Sequence, residues 1–234
     1  MSRLILVRHA HSCADDVNEK LRSDPLYTRM QEWFRSQPYH PATRVLAIKL
    51  HHKYRLPCDV NESGLTPTGI EQARNLGTNL KTIDIGYCRA WCSPLARAKE
   101  TLQHLTATFS EFSLLSVTFD DNLVERQRGA EAGIFANLRL YLAAHPSENR
   151  RKQRESSLRY SPPGGESLLN VLNRAQLFLR RTSSEFLASD TLIVAHHVII
   201  SAIRSHIEGW RPEEFLMKLV SEKSRNCGFV VYVR

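Results

Sequence analysis

Apolar residues are grouped in short runs: "RLILVR" (3–8), "AWCS" (90–93), "LLSVTF" (114–119), "TLIVAH" (191–196) and "GFVVYV" (228–233). Runs of this length, rich in branched residues and bounded by polar positions, predict buried β-strands. Between them the apolar positions recur every three or four residues, the period of a helix. In "LTPTGIEQARNLGTNLK" (65–81), Thr66 is a candidate N-cap and Pro67 the first helical residue, with Ile70, Ala73 and Leu80 on one face. After Ser93, read as a cap, and Pro94, read as a start, Leu95, Ala98, Leu102, Leu105 and Phe109 form a second stripe. Residues 165–187 and 197–208 carry further helical patterns. Strands alternating with helices predict an α/β fold, with a mostly parallel central sheet covered by helices on both faces. In such sheets ligands gather at the carboxyl ends of the strands, which is where Arg8 and His9 fall.

One stretch breaks the alternation. Residues 16–60 are polar, carry Trp33, Phe34 and Tyr39, and include "QPYHPATR" and "KLHHKYR". The expectation is a single domain over 1–234 with 16–60 as an inserted, partly helical cap segment.

Composition narrows the class of protein without choosing a function. No apolar run approaches the ~18 residues of a membrane span, and the first residues lack the long apolar core and small-residue cleavage site of a secretory signal. A cytoplasmic location is the resulting expectation. The five cysteines (Cys13, Cys58, Cys88, Cys92 and Cys227) lack paired short spacings and read as reduced, structural thiols. A net charge of +8 points to an anionic partner. The densest basic stretch, "ENRRKQRESSLRY" (148–160), has none of the interleaved aromatics of a nucleic-acid stacking platform. It reads as a solvated loop. A small anionic substrate, rather than nucleic acid or a membrane, fits the dispersed charge.

Two chemistries compete for "LILVRHAHSC" (4–13). His9 and His11, two apart at a strand end, share a face and suit a metal ion, but Arg8 beside them would repel a dication. Alternatively Arg8 and His9 belong to a phosphate site. "CSPLARAKET" (92–101) places Arg97 in the first turn of a helix, where unpaired N–H groups and a planar guanidinium favour phosphate oxygens. A buried strand delivers His196 to its end, and "NLVERQRGAEAG" (122–133) holds Glu125 among arginines and glycines. Taken singly, each has an ordinary reading: a surface helix, a core histidine, an exposed ion-pair partner.

In their order, "LVRHA", "SPLARAKET", "LVER" and "LIVAHH" resemble the histidine phosphatase superfamily, which includes the phosphoglycerate mutases. "GLTPTGIEQA" (64–73) and "PPGGESLLNVLNRA" (162–175) extend the resemblance over nearly the whole chain. It implies a phosphoglycerate mutase-like three-layer α/β/α sandwich with no cofactor and no metal. It implies also that His9 is a nucleophile forming a phosphohistidine, with Arg8, Arg97 and His196 around the phosphoryl oxygens and Glu125 as general acid and base. Ser12 becomes a candidate phosphate contact, and His197, Arg126 and Tyr160 candidate substrate contacts. His11 keeps no assigned role.

The departures favour a phosphatase. Ala10 stands where the family usually has glycine, His197 follows the second histidine, and Asp15 replaces a mutase amide. "RYSPPGGES" (159–167) resembles the equivalent stretch of fructose-2,6-bisphosphatases. The expected activity is hydrolysis of a small phosphorylated metabolite. Phosphoglycerate mutase-type transfer and dephosphorylation of phosphohistidine or phosphotyrosine in proteins are the alternatives. The basic residues 150–154 are then a possible lid. Residues 16–60, through Trp33, Tyr39, His51, His52 and Lys53, are candidates to contact the rest of the substrate.

Overall fold

A computed structural model describes residues 2–56, 60, 62–81, 88–108 and 114–233. Cys58 and Phe109, both singled out in the sequence, lie outside the described residues. The chain divides into two compact units, one formed by residues 1–12, 64–126 and 170–234, the other by 13–63 and 127–169.

The first unit is built on a five-stranded sheet: β1 (Arg3–Arg8), β2 (Cys88–Cys92), β3 (Leu114–Phe119), β4 (Asp190–Ala195) and β5 (Phe229–Val233), in the order β3-β2-β4-β1-β5. Four strands are parallel; β5 alone runs antiparallel, against β1. Every predicted strand is present, each within two residues of its expected bounds. The helices of this unit are α4 (Pro67–Lys81), α5 (Ala96–Thr106), α9 (Leu168–Ala188), α10 (His197–Glu208) and α11 (Pro212–Ser221).

Period-two alternation divides the strand side chains between two layers of helix, giving a three-layer α/β/α sandwich. On one face Ile5, Val7, Ala90, Leu192 and Val194 pack with Leu76 and Leu80 of α4 and Ala98, Leu102 and Leu105 of α5. On the other, Leu4, Leu6, Trp91 and Ile193 are buried, and the Trp91 ring meets Phe178 of α9 edge-on with centroids 5.5 Å apart. β1 and β4 are parallel neighbours with Arg8 opposite Ala195, so the residues leaving both strands emerge side by side.

The second unit is helical: α1 (Cys13–Ser23), α2 (Pro25–Ser36), α3 (Pro41–Lys53), α6 (Gly129–Gly133), α7 (Leu138–Ala144) and α8 (Pro146–Arg154). Its core joins Leu21, Tyr27, Met30, Ala47 and Leu50 from the first segment to Phe135, Leu140, Tyr141 and Tyr160 from the second. Residues 16–60 are therefore part of a two-segment unit. Lys53 bonds Asp24 at 2.8 Å, and the His51 ring stacks 3.8 Å from Phe135. The basic stretch expected as a loop is largely helix α8. Pro146 starts it, and its Arg151 donates to Glu148 at 2.7 Å and to the Ser161 carbonyl at 2.5 Å. Among the described residues, no helix is long and apolar enough to cross a membrane.

Candidate active site

Arg8 is the last residue of β1, and His9 follows it directly. Both are at least nine-tenths buried, at 6% and 5% exposure. The His9 backbone N–H continues the parallel ladder to the Ala195 carbonyl, which ties it to the end of β4. Its Nδ1 donates to the Ala10 carbonyl at 2.8 Å, since a carbonyl can only accept. That bond fixes the tautomer, and Nε2 presents a lone pair that accepts from Arg97 Nε at 3.3 Å. The His196 ring lies 5.0 Å from the His9 ring, centroid to centroid, tilted by 55°.

A loop just before β5, unmarked in the sequence reading, clasps this strand end. Arg8 donates a guanidinium N–H to the Ser224 carbonyl at 2.7 Å, and its backbone N–H reaches the Gly228 carbonyl at 3.0 Å. Asn226 Nδ2 and the Cys227 N–H both donate to the His9 carbonyl, at 3.3 Å each. Cys227 adopts φ 57°, the left-handed region that is unusual for a residue with a Cβ. Burial pushes its thiol up to about 12, against Arg8, so it stays a thiol at neutral pH.

The turn after β2 differs from its sequence reading. Helix α5 starts at Ala96, with Leu95 in the cap position, so Ser93 is not its N-cap. Pro94 does not begin the helix either. The Ser93 hydroxyl bonds His196 Nε2 at 2.8 Å and has only a long contact of 3.4 Å with the Leu95 N–H. His196 is fully buried, and its Nδ1 has no partner among the described residues. Burial first, then the charges of Arg97, His9, Arg8 and Arg174, hold its ring well below the ordinary imidazole range; the ring is neutral at pH 7.

Arg97 lies in the first turn of α5, as predicted, and is 4% exposed. A side chain the sequence did not reveal links it to the loop that follows His9. The Thr101 hydroxyl accepts from the Ala10 N–H at 2.9 Å and donates to the Arg97 carbonyl at 2.6 Å.

Glu125 follows a 3-10 turn (Asp121–Leu123) and is partly buried. Its two oxygens accept from the backbone N–H groups of Arg126 at 2.7 Å and Val198 at 3.2 Å. Arg174 of α9 holds the loop by donating to the carbonyls of Asn122 (2.6 Å) and Val124 (3.0 Å). His197, the first residue of α10, bonds the Leu219 carbonyl through Nε2 at 2.9 Å.

The motif at 64–73 explains itself in the structure. Thr66 Oγ1 caps α4 by accepting from the Gly69 N–H at 3.1 Å and also meets His11 Nδ1 at 2.9 Å. Gln72 Oε1 accepts from the His11 N–H at 2.9 Å, and Leu65 pairs with the buried Ser12. His11 therefore turns toward α4 while the His9 ring faces Arg97 and His196, so the two rings do not converge on a common ion.

In the second unit, Tyr160 is completely enclosed and its hydroxyl bonds Glu148 at 3.2 Å. The "PPGGES" stretch is there a backbone clasp: Gly129, at φ 75°, lies against Pro163, where a Cβ would come within 2.0 Å of the carbonyl oxygen. Glu166 accepts from the Gln127 N–H at 3.0 Å.

Fold and site together place the chain among the α/β proteins, with His9 and His196 following the parallel strands β1 and β4 and Arg97 reaching His9 from the first turn of α5. The match to known families is more specific. The model of the histidine phosphatase superfamily (branch 1) matches residues 50–230, and the chain belongs to that family. Arg8 and His9 precede the matched stretch, separated from it by most of α1–α3.

A 2,3-bisphosphoglycerate-dependent phosphoglycerate mutase of Brucella anthropi is 29% identical over 157 residues, 66% of this chain and 74% of the mutase. Among solved structures, a putative alpha-ribazole-5'-P phosphatase from Escherichia coli superposes with a TM-score of 0.66 at 20% identity, covering 98% of this chain and 89% of that one. A phosphoserine phosphatase from Entamoeba histolytica, solved with 3-phosphoglyceric acid, gives 0.63 at 16% identity, covering 100% and 91%. These structures share the fold.

Proposed function

We propose that this protein is a metal-independent phosphomonoester hydrolase acting on a small phosphorylated metabolite through a phosphohistidine on His9. The observation that carries the reading is the His9 tautomer. With Nδ1–H committed to the Ala10 carbonyl, the Nε2 lone pair is available for in-line attack on phosphorus. Arg97, which donates to that lone pair, turns its donors onto the incoming phosphoryl oxygens.

Arg8 adds a second guanidinium and His196 a neutral donor. With the Ser93 hydroxyl donating a hydrogen bond to Nε2 of His196, the ring proton sits on Nδ1, where a phosphoryl oxygen satisfies it. Together these groups supply the positive charge that a metal provides elsewhere. Glu125, held by two backbone N–H groups, protonates the departing oxygen and then takes a proton from water as His9–phosphate is hydrolysed. Ser12 and Arg126 remain candidate contacts for the phosphate and the rest of the substrate. The phosphoglycerate mutase likeness supports a second reading, phosphoryl transfer to an alcohol.

A panel of phosphomonoesters assayed in chelator, with the phosphoenzyme trapped by quenching in alkaline detergent and then tested for acid lability, tests both. Release of inorganic phosphate with an acid-labile phosphoenzyme in the wild type, and neither in His9→Ala, is the expected result. Retained turnover in His9→Ala refutes the reading. Dominant isomerisation of phosphoglycerate supports transfer instead.

A further inference from the structure

Both O–H groups of an attacking water need an acceptor at the reacting centre. Glu125 takes one as general base. The other O–H requires an acceptor, or it is left unpaired. An alcohol acceptor has only one such proton, so a second acceptor beside Glu125 helps water and does little for an alcohol.

His197 has the properties of that acceptor. Its Nε2 faces the Leu219 carbonyl at 2.9 Å and must therefore carry the ring proton. In the neutral ring Nδ1 is then a lone pair, and it is buried with no partner among the described residues. The neighbouring residue Val198 donates its N–H to Glu125 Oε2 at 3.2 Å, which brings the start of α10 to the carboxylate.

We propose that His197 Nδ1 accepts the second proton-bearing arm of the hydrolytic water and so biases the phosphoenzyme toward water over alcohols. The inference rests on the phosphohistidine reading given above and names a specificity residue for it. In the step, the water oxygen bonds to phosphorus as the His9 Nε2–P bond breaks, and the bonding pair returns to Nε2. One proton moves to the Glu125 carboxylate. The other stays on the new phosphate oxygen, hydrogen-bonded to His197. Burial holds the His197 ring below the ordinary imidazole range; the Leu219 carbonyl and Glu125 oppose that shift, and Arg8 and Lys223 reinforce it. A neutral ring at pH 7 follows.

Two amides separate the nitrogens. His197→Gln puts an amide N–H where Nε2 stands, preserving the Leu219 bond and removing the acceptor. His197→Asn puts an amide oxygen near Nδ1, preserving the acceptor and abandoning Leu219. The experiment uses p-nitrophenyl phosphate as donor, with glycerol at molar concentration as competing acceptor. It measures the ratio of inorganic phosphate to glycerol phosphate, with the trapped phosphoenzyme quantified alongside.

The ratio should fall about fivefold in His197→Gln, the loss of one hydrogen bond, and stay within about twofold of wild type in His197→Asn. Equal shifts in both variants, or none in His197→Gln, overturn the inference while leaving the phosphohistidine intact. Absence of a phosphoenzyme in the wild type overturns the underlying reading, and this inference with it.

Discussion

The Thr101 hydroxyl joins the Ala10 N–H, next to His9, to the Arg97 carbonyl. Replacing Thr101 with valine keeps the shape and leaves a buried N–H unpaired. Thr101→Val should lower stability by about 2 kcal/mol and lower kcat about tenfold through misplacement of His9 against Arg97. Thr101→Ser should restore most of both; urea titration and steady-state kinetics read them out. His196 makes a pH prediction. Its folded pKa lies below its unfolded value of about 6.5, so below that pH the unfolded chain binds a proton that the folded chain refuses. Stability from this ring is complete above that value and declines as pH falls toward the folded pKa, by about 1.4 kcal/mol per unit. His196→Gln, which can keep the Ser93 contact, should flatten the loss of urea midpoint between pH 6.5 and 5; an equally steep loss in the variant would assign the acid sensitivity elsewhere. Residues at this scale were legible when their side chains marked the end of a strand or the start of a helix, as His9, His196 and Arg97 do. Thr101, Asn226 and Arg174 were not. They act on backbone N–H and carbonyl groups, which leave no trace in side-chain pattern.

Helix α4 shows how a motif noticed by resemblance acquires a physical cause. Gly69 lies in its first turn, and a Cβ there would fall 2.0 Å from the His11 carbonyl oxygen. The close approach lets Thr66 and Gln72 bind the loop that follows His9. Gly69→Ala should therefore cost about 3 kcal/mol and reduce activity as well, because the backbone that must move is two residues from His9. Loss of stability without loss of turnover would separate α4 from the site. At this scale the periodicities gave strand and helix positions closely, and Thr66 does cap α4. The start of α5 was misread because serine followed by proline has the local signature of a helix N-terminus. The tertiary demand of His196 for the Ser93 hydroxyl outweighs that local preference. The almost wholly polar stretch of α8 predicts a loop, because it has no apolar face to mark a helix. Its pairing of Arg151 with Glu148 and the Ser161 carbonyl shows how such a segment can be held as helix.

The molecule as a whole divides where the sequence suggested only an insertion. Residues 13–63 and 127–169 share one core, and Asn137 donates to both Asn18 (3.0 Å) and Tyr27 (3.1 Å), joining the two segments. Neither segment has a continuous apolar face long enough to announce the other, so the pairing was invisible in one dimension. Deleting 16–60 removes Leu21, Tyr27, Met30, Ala47 and Leu50 from that core and bares Phe135, Leu140 and Tyr141. The deleted chain should bind a hydrophobic dye and appear mainly in the insoluble fraction; a soluble, cooperative fold would show that 127–169 stands alone. The sheet order carries a kinetic consequence. β1 is made early, but its neighbours β4 and β5 are formed by residues 190–195 and 229–233, and the loop clasping Arg8 begins at Ser224. The apolar run that leads into His9 therefore waits unpaired until residues 190–195 and 229–233 have been made. Contacts so distant in sequence close slowly and leave a sticky strand exposed in the meantime. Refolding yield should accordingly be governed by the capture of β1, making recovery of activity a late and all-or-none event.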